Sequence, residues 1–496
     1  MNAPLRRVGV VVLILFALLF INLNWVQGYK ANAYRNDPHN GRVLLSEYQR
    51  ERGRILLAGG EVAAQSVATT DNLKYQRRYP LGAAYAQVVG YKPVTGAATG
   101  IERAENDFLA GTADSLFTER VKDLFTGNRT PGGNVLLTID KKVQDAAYNG
   151  LLTNQKGVTS GAAVALDPKT GKILALTSIP SFDPNPLVSH DTTAAGAAYT
   201  RANSAAGNPL LLKATGDVYP PASTMKVIIS AAALSSGQYT PQTPIPATNS
   251  YSPIPGSGHP ITNSSPNTCP QPTLTLLEAL TVSCNTAFAR LGVTLGADQV
   301  TSMAQAFGFE DGGLTITGTD NQSMPVAASH TGDLSDKNFL AQSSIGQYNV
   351  RESPMQNALI AATIANGGVQ MRPYLVDKLQ APDLNIISTT QPKTLRTPIQ
   401  PQVAAQLQDM MVSVVQNGTG QNAQIPGYRV GGKTGTAQNG EGADAHGWFI
   451  GWAMKDNQPI VAVCVFLQQA GPGGSAEAAR IGGNIMQAAI SEKGPN

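Results

Sequence analysis

The sequence predicts a mixed α/β fold, and three observations carry that expectation. Two stretches read as β-hairpins: residues 162–166 with 173–176 around Asp167-Pro168-Lys169-Thr170-Gly171, and residues 447–454 with 460–467 around Lys455-Asp456-Asn457-Gln458. Segments with helical spacing lie between them at 223–233, 274–280, 353–365 and 401–415, and one at about 476–491 follows the second hairpin. Strands at both ends of a region with helices between them fit one α/β domain of roughly 340 residues. Gly 50 and Pro 32 in 496 residues exclude a helical bundle or a coiled coil.

Taken in order, the chain opens on an apolar helix. Residues 8–23, VGVVVLILFALLFINL, carry no charge, and the uncharged run continues to Tyr29, about one bilayer's worth of helix. Arg6 and Arg7 precede it, and Trp25 and Tyr29 follow at the depth of interfacial aromatics. The positive-inside rule then leaves residues 1–7 in the cytoplasm, residues 8–28 as the anchor, and the rest outside the cell. Ala31-Asn32-Ala33 offers a signal-peptidase pattern, but it lies well past the apolar run and beyond Lys30, so an uncleaved anchor is expected.

Within a pedestal or dimerisation-like module of residues 29–153, residues 30 to about 135 mix short apolar runs with charge and glycine and read as irregular and mostly extended, near the membrane. Within it, Arg52-Gly53-Arg54-Ile55 and Thr99-Gly100-Ile101-Glu102 read by themselves as turn glycines beside solvated charges. A loop at 128–133, a strand at 135–139 and a helix at 141–152 lead into the large domain, residues 154–496. Proline-rich text from 239 to 273 reads as a long excursion without regular structure.

Lys plus Arg is 36, Asp plus Glu is 33, and no basic cluster occurs, so no nucleic-acid partner is expected. Three cysteines are too few for a disulfide scaffold, and no Cys/His spacing suggests a metal. In an oxidising compartment Cys269 and Cys284 are close enough in sequence to bridge, whereas Cys464 sits in an apolar run as a buried thiol. The pair can equally remain two free thiols.

Ser223-Thr224-Met225-Lys226 is an S-x-x-K tetrad following Pro220-Pro221, at the first turn of the expected helix. Residues i and i+3 are helical neighbours, so the Lys226 amine can reach the Ser223 hydroxyl. A serine needs a base to become a nucleophile, and a lysine whose pKa is lowered by burial or a nearby cation can be that base. Free N–H groups in that turn also favour a developing oxyanion. Alone, such a tetrad is most often a Ser cap beside a solvated Lys. Two further signals change this: Ser283-Cys284-Asn285, an S-x-N directly after a predicted helix, and Lys433-Thr434-Gly435-Thr436, a K-T-G-T beside the terminal hairpin.

In the order S-x-x-K, S-x-N, K-T-G, the sequence resembles the penicillin-recognising serine acyltransferases. The anchor, the Arg52-Gly53-Arg54-Ile55 and Gly100-Ile101-Glu102 pieces, and Leu137-Thr138-Ile139-Asp140 with Gln144 look like the non-catalytic module of class B penicillin-binding proteins. The match then covers almost the whole chain. The short pedestal, with no appendage after the final helix, is similar to the actinobacterial penicillin-binding protein A type.

The resemblance implies an antiparallel sheet with helices on both faces, an extended N-terminal pedestal and one transmembrane helix. It implies a D,D-transpeptidase in which Ser223 attacks the penultimate D-Ala carbonyl of a peptidoglycan stem peptide ending in D-Ala-D-Ala. Lys226 would be its base, Ser283 a proton relay, and Asn285 a ligand of the substrate amide that also holds Lys226. Lys433, Thr434 and Thr436 would bind the donor carboxylate, with Gly435 leaving room for substrate backbone. The N–H groups of Ser223 and Thr436 would form the oxyanion hole. No cofactor is implied. β-Lactams would acylate the same serine, and a SEDS-type glycan polymerase with division or elongation proteins would be partners.

Other readings are weaker. Gly427-Tyr428-Arg429-Val430-Gly431-Gly432-Lys433-Thr434 matches the phosphate-binding G-x-x-x-x-G-K-[ST] pattern, but its flanks lack the buried strand and helix that pattern needs. His39, His190, His259, His330 and His446 are scattered; His446 is expected to face solvent, and Trp448 and Trp452 to be core. Tyr348, after Ile345-Gly346-Gln347, stands where the family often has a glycine. Two rival functions share the motifs: a D,D-carboxypeptidase or β-lactamase that hydrolyses the acyl-enzyme, and a non-enzymatic penicillin-binding scaffold. A scaffold would be expected to have lost a catalytic letter, and a sensor to need more than seven residues before Val8.

Overall fold

A computed structural model describes residues 2–30, 34, 47–117, 130–256, 260–316, 323–438, 440 and 442–492. Ala31-Asn32-Ala33, His39, His259, and Asn128 and Arg129 of the expected loop lie outside the described residues. The chain begins with α1 (Asn2–Asn24), prolonged by one wider turn over Trp25–Tyr29. Residues 6–29 are long and apolar enough to cross a membrane, and none of this stretch is buried against the protein. A helix apolar on every side and touching nothing is one that lipid must solvate.

The module expected to be irregular supplies four strands of a six-stranded sheet. Strands β1 (Ile55–Leu56), β2 (Val62–Ala68), β3 (Tyr75–Arg78) and β4 (Asn134–Leu137) come from it. The other two, β12 (Val376–Gln380) and β13 (Ile386–Thr389), come from the far half of the chain. The order is β13-β12-β4-β1-β2-β3, with β4 parallel to β1 and antiparallel to β12. Nor are Arg52 and Glu102 solvated, although Arg54 between them in the sequence is exposed. Arg52 Nε donates to Glu102 Oε2 at 2.7 Å and Arg77 Nε to Oε1 at 2.6 Å, with Glu102 fully buried. Burying three ionised groups is tolerable because each finds an opposite charge and directional hydrogen bonds.

Helix α2 (Lys141–Leu152) starts at Asp140, whose carboxylate caps Val143 N at 3.0 Å. Its Gln144 donates to Ala84 O at 2.8 Å and Leu176 O at 3.0 Å and accepts from Leu176 N at 2.8 Å, tying the pedestal to the second sheet.

That second sheet is antiparallel throughout, in the order β15-β16-β17-β5-β6, built from β5 (Gly161–Leu166), β6 (Ile173–Ile179), β15 (Arg429–Ala437), β16 (His446–Lys455) and β17 (Gln458–Leu467). Side chains alternate along β17: Val461, Val463 and Val465 point into one core with α2 and the last helix, and Ala462, Cys464 and Phe466 into the other. Helices therefore cover both faces, as the resemblance implied. On the Cys464 side lie α3 (Met225–Ser235), α4 (Leu276–Thr281), α5 (Asn285–Leu295), α6 (Lys337–Ser344) and α7 (Pro354–Ala365). Then α8 (Pro401–Asn417) leads to β15, and α9 (Gly474–Glu492) closes the described chain.

Two local expectations are corrected. The proline-rich excursion contains short ladders, β7 (Pro244–Pro246) with β10 (Thr273–Thr275) and β8 (Ser250–Tyr251) with β9 (Ile261–Thr262). Prolines fit there because edge ladders of two or three residues leave many N–H groups unpaired anyway. His446 does not face solvent: β16 has a strand on either side and helices over both faces, so it is buried and its Nδ1 accepts from Gln469 N at 3.0 Å. Burial, reinforced by the Arg351 charge, pushes its pKa down to about 4. Trp448 and Trp452 are core.

Candidate active site

The nucleophile turn is held from three sides. Ala222–Thr224 form a 3₁₀ turn that runs into α3. Ala222 sits at φ +54° and donates its N–H to Gly346 O at 2.9 Å. Gly346 has φ +72°, and a Cβ there would lie 1.9 Å from Ala222 O, so only glycine fits behind this turn. Thr224 Oγ1 donates to Pro221 O at 2.7 Å and accepts from Asn357 Nδ2 at 3.1 Å, while Trp448 Nε1 donates to Pro220 O at 3.0 Å. The Ser223 hydroxyl, at the mouth of this scaffold, takes part in no hydrogen bond among the described residues.

Lys226 is one helical turn on and fully buried. Its Nζ lies 2.7 Å from Asn285 Oδ1, 2.8 Å from Ser283 O and 3.2 Å from Ser283 Oγ. Ser283 has φ +63°, a strained conformation that aims its carbonyl and hydroxyl at one point. Asn285 is fixed in turn: its Nδ2 donates to Thr262 O at 3.0 Å, and Asn263 Oδ1 accepts from the N–H groups of Asn285 and Thr286 at 3.0 and 3.1 Å, capping α5. A disulfide between Cys269 and Cys284 anchors this loop to the S-x-N motif.

Lys433 approaches from the sheet. Its Nζ donates to Ser283 Oγ and to Thr434 O, both at 2.9 Å, so one hydroxyl links two buried lysines. Among the described residues neither ammonium has a carboxylate partner. Burial, and then the Lys433 charge, hold Lys226 well below the usual lysine range, and burial brings Lys433 down to about 7.

The rest of the K-T-G-T segment behaves differently. It is continuous strand from Arg429 to Ala437, with no phosphate-cradling loop. Thr434 and Thr436 lie on the face opposite Lys433, where the Thr434 hydroxyl bonds that of Thr419 and the Thr436 hydroxyl lies 3.2 Å from Ser475 Oγ. Gly435 has a role besides leaving substrate room: a Cβ there would meet Pro221 O at 3.0 Å and Ala222 Cβ at 3.3 Å. Its absence lets the strand pack on the nucleophile turn.

Several of these groups carried no signal in the sequence. Asn263, Asn357, Thr419 and Ser475 act through contacts across 15 to about 130 residues of chain, outside the reach of local spacing.

Comparison with known proteins follows the same outline. Residues 161–487 match the penicillin binding protein transpeptidase domain, and residues 52–135 the penicillin binding protein A dimerisation domain. The chain is 44% identical over 500 residues to a protein of Mycolicibacterium smegmatis named peptidoglycan D,D-transpeptidase PbpA, covering 99% of this chain and 100% of that one. A protein of the same name from Mycobacterium tuberculosis is 42% identical, with 99% of each covered. The structure of penicillin-binding protein A from M. tuberculosis as a ceftriaxone acyl-enzyme complex superposes with a TM-score of 0.84 at 41% identity, covering 90% of this chain and 100% of that one. Three motifs converging on one buried pair of lysines, with the sequence matched over 99% of the chain and the fold over 90%, place this chain in the penicillin-binding protein transpeptidase family.

Proposed function

We propose that this chain is a membrane-anchored peptidoglycan D,D-transpeptidase that works through a Ser223 acyl-enzyme. The observation that carries the reading is the pair of buried lysines joined through Ser283 Oγ with no acidic partner. Burial and the neighbouring Lys433 charge both favour the neutral form of Lys226, one helical turn from Ser223, which makes it the base, while Lys433 is the ammonium on the sheet side. Lys226 takes the Ser223 proton as Oγ attacks the penultimate D-Ala carbonyl, and the N–H groups of Ser223 and Thr436 receive the oxyanion. Lys433 binds the donor's terminal carboxylate. Collapse breaks the peptide bond, and the proton on Lys226 passes through Ser283 to the departing D-Ala amine. An acceptor amine then attacks the ester, returns a proton to Ser223 by way of Lys226, and leaves a new peptide cross-link. A β-lactam carbonyl meets the same nucleophile.

The domain plan of residues 1–7 inside, 8–28 in the membrane, 29–153 as pedestal and 154–496 as the transpeptidase follows from this reading and from Arg6 and Arg7 flanking the apolar helix. By analogy with the family, a SEDS-type glycan polymerase and division or elongation proteins are its partners. The test is intact-protein mass spectrometry with benzylpenicillin. One penicilloyl adduct on Ser223, absent in Ser223→Ala and persisting for many minutes, is expected. Rapid multiple turnover of benzylpenicillin would instead make the chain a hydrolase, and no adduct would make it a scaffold.

A further inference from the structure

A cleft of about 540 Å³ opens beside the nucleophile turn. Pro220, three residues before Ser223, lines it, as do Ile261, which precedes the residue holding Asn285, and Gln438, just past the end of β15. Its most unusual wall is Tyr348. This residue has φ +64°, where a side chain costs about 1 kcal/mol or more and glycine costs nothing. The residue is 42% exposed and its ring stacks on Phe339 at 4.5 Å and 10°, so an exposed aromatic side chain is held in a strained backbone conformation. Nothing in the core requires that ring.

Arg351 lines the same cleft. Its Nη1 is fastened to Tyr348 O at 2.7 Å and Val350 O at 2.8 Å, and among the described residues its Nε and Nη2 have no hydrogen-bond partner and no carboxylate pairs with it. Among the described residues the lining holds no Asp or Glu, but does hold the amides of Asn338, Gln342 and Gln438. Among the described residues Asn338 Oδ1 has no donor.

The position of the cleft says which part of a substrate reaches it. β15 is the outermost strand of its sheet, so an extended peptide can add along its free edge. With its terminal carboxylate at Lys433 and its scissile carbonyl at Ser223, such a peptide runs back past Thr436 toward Gln438. The residue arriving there is the one before the D-Ala pair, which in a stem peptide is a diamino acid.

We propose that this cleft takes the side chain of the donor's diamino acid, with Tyr348 under its methylene arm and Arg351 on a terminal carboxyl or carboxamide. The site then selects a side chain ending in both an amine and a carboxyl function over one ending in an amine alone, because only the former meets the guanidinium and the amides together. This rests on the transpeptidase reading of Ser223.

Two depsipeptide donors separate the possibilities on the full-length protein in detergent: Nα-acetyl-meso-diaminopimelyl-D-Ala-D-lactate and Nα-acetyl-L-Lys-D-Ala-D-lactate, read as D-lactate release. The wild type is expected to favour the diaminopimelyl donor by about tenfold or more in kcat/KM. Arg351→Gln brings the ratio close to one by slowing that donor, and Tyr348→Gly, which relieves strain and therefore folds, slows both donors. Each rate is expressed relative to acylation by 6-aminopenicillanic acid, which has no acyl side chain to enter the cleft. Equal use of both donors by the wild type, or an unchanged ratio in Arg351→Gln, overturns the proposal. Failure of 6-aminopenicillanic acid to acylate Ser223 at all overturns instead the reading beneath it.

Discussion

Two clusters of buried charge among the described residues are built on opposite rules. In the pedestal, Glu102 stands between Arg52 and Arg77 with every ion facing its complement. Its carboxyl is held below the usual range: burial opposes the charge, but Arg77 and Arg52 outweigh it. At the active site, Lys226 and Lys433 face each other across one serine with no anion nearby, and both are pushed down. The first arrangement fixes charges in place, and the second makes a proton easy to remove. Burial is common to both; the sign of the neighbour decides whether the result is architecture or chemistry.

The largest expected effect comes from breaking the paired cluster. Glu102→Gln keeps the shape but leaves two buried guanidiniums without a counter-charge, and should cost about 3–5 kcal/mol in urea unfolding. A loss under about 1 kcal/mol would show that water reaches these arginines. The pH dependence of acylation should be unchanged, since the cluster belongs to the pedestal sheet.

Breaking the like-charged pair should change the pH profile instead. In the wild type, kcat/KM for acylation rises as Lys226 loses its proton and falls at about pH 7 as Lys433 loses the charge that binds carboxylate. Lys433→Met removes the falling limb, slows acylation by benzylpenicillin roughly tenfold to a hundredfold, and moves the rising limb to higher pH because Lys226 is freed of its cationic neighbour. A rising limb that stays put would mean that the two amines do not interact.

A third buried group sharpens the contrast. Glu352 is enclosed with both carboxyl oxygens unbonded, and burial raises its pKa well above the ordinary value. A group whose folded pKa exceeds its unfolded one contributes stability that is fully present below the unfolded value, about 4.3, and is lost as pH rises toward the folded value. The melting-temperature advantage of Glu352→Gln over the wild type should therefore widen from pH 5 to pH 8. A constant difference would place a hidden partner beside the carboxyl.

What the sequence makes legible follows from range. Ser223 and Lys226 share one turn, and α2 ends where its periodicity ends, because helix geometry is set within four residues. The S-x-N and K-T-G-T motifs are equally local. By contrast, β4 pairs with β12 across some 240 residues, and no spacing announces that a strand from the catalytic half completes the pedestal sheet. Arg52 and Glu102 look solvated for the same reason, since their partners are visible only in space. The orientation of Thr434 and Thr436 depends on which face of β15 meets α8 and α9, and His446 on its strand being flanked on both sides. Asn263 is the clearest case: a polar residue in unpromising text that caps the helix carrying Asn285.

The shared pedestal sheet also decides where this protein can be cut. A fragment starting near residue 154 would keep the three motifs yet strip β12 of its neighbour β4, exposing an unpaired strand edge that invites aggregation. The unit that can be severed from the membrane without opening a sheet therefore begins before β1. For soluble expression, the pedestal is part of what a catalytic fragment must keep.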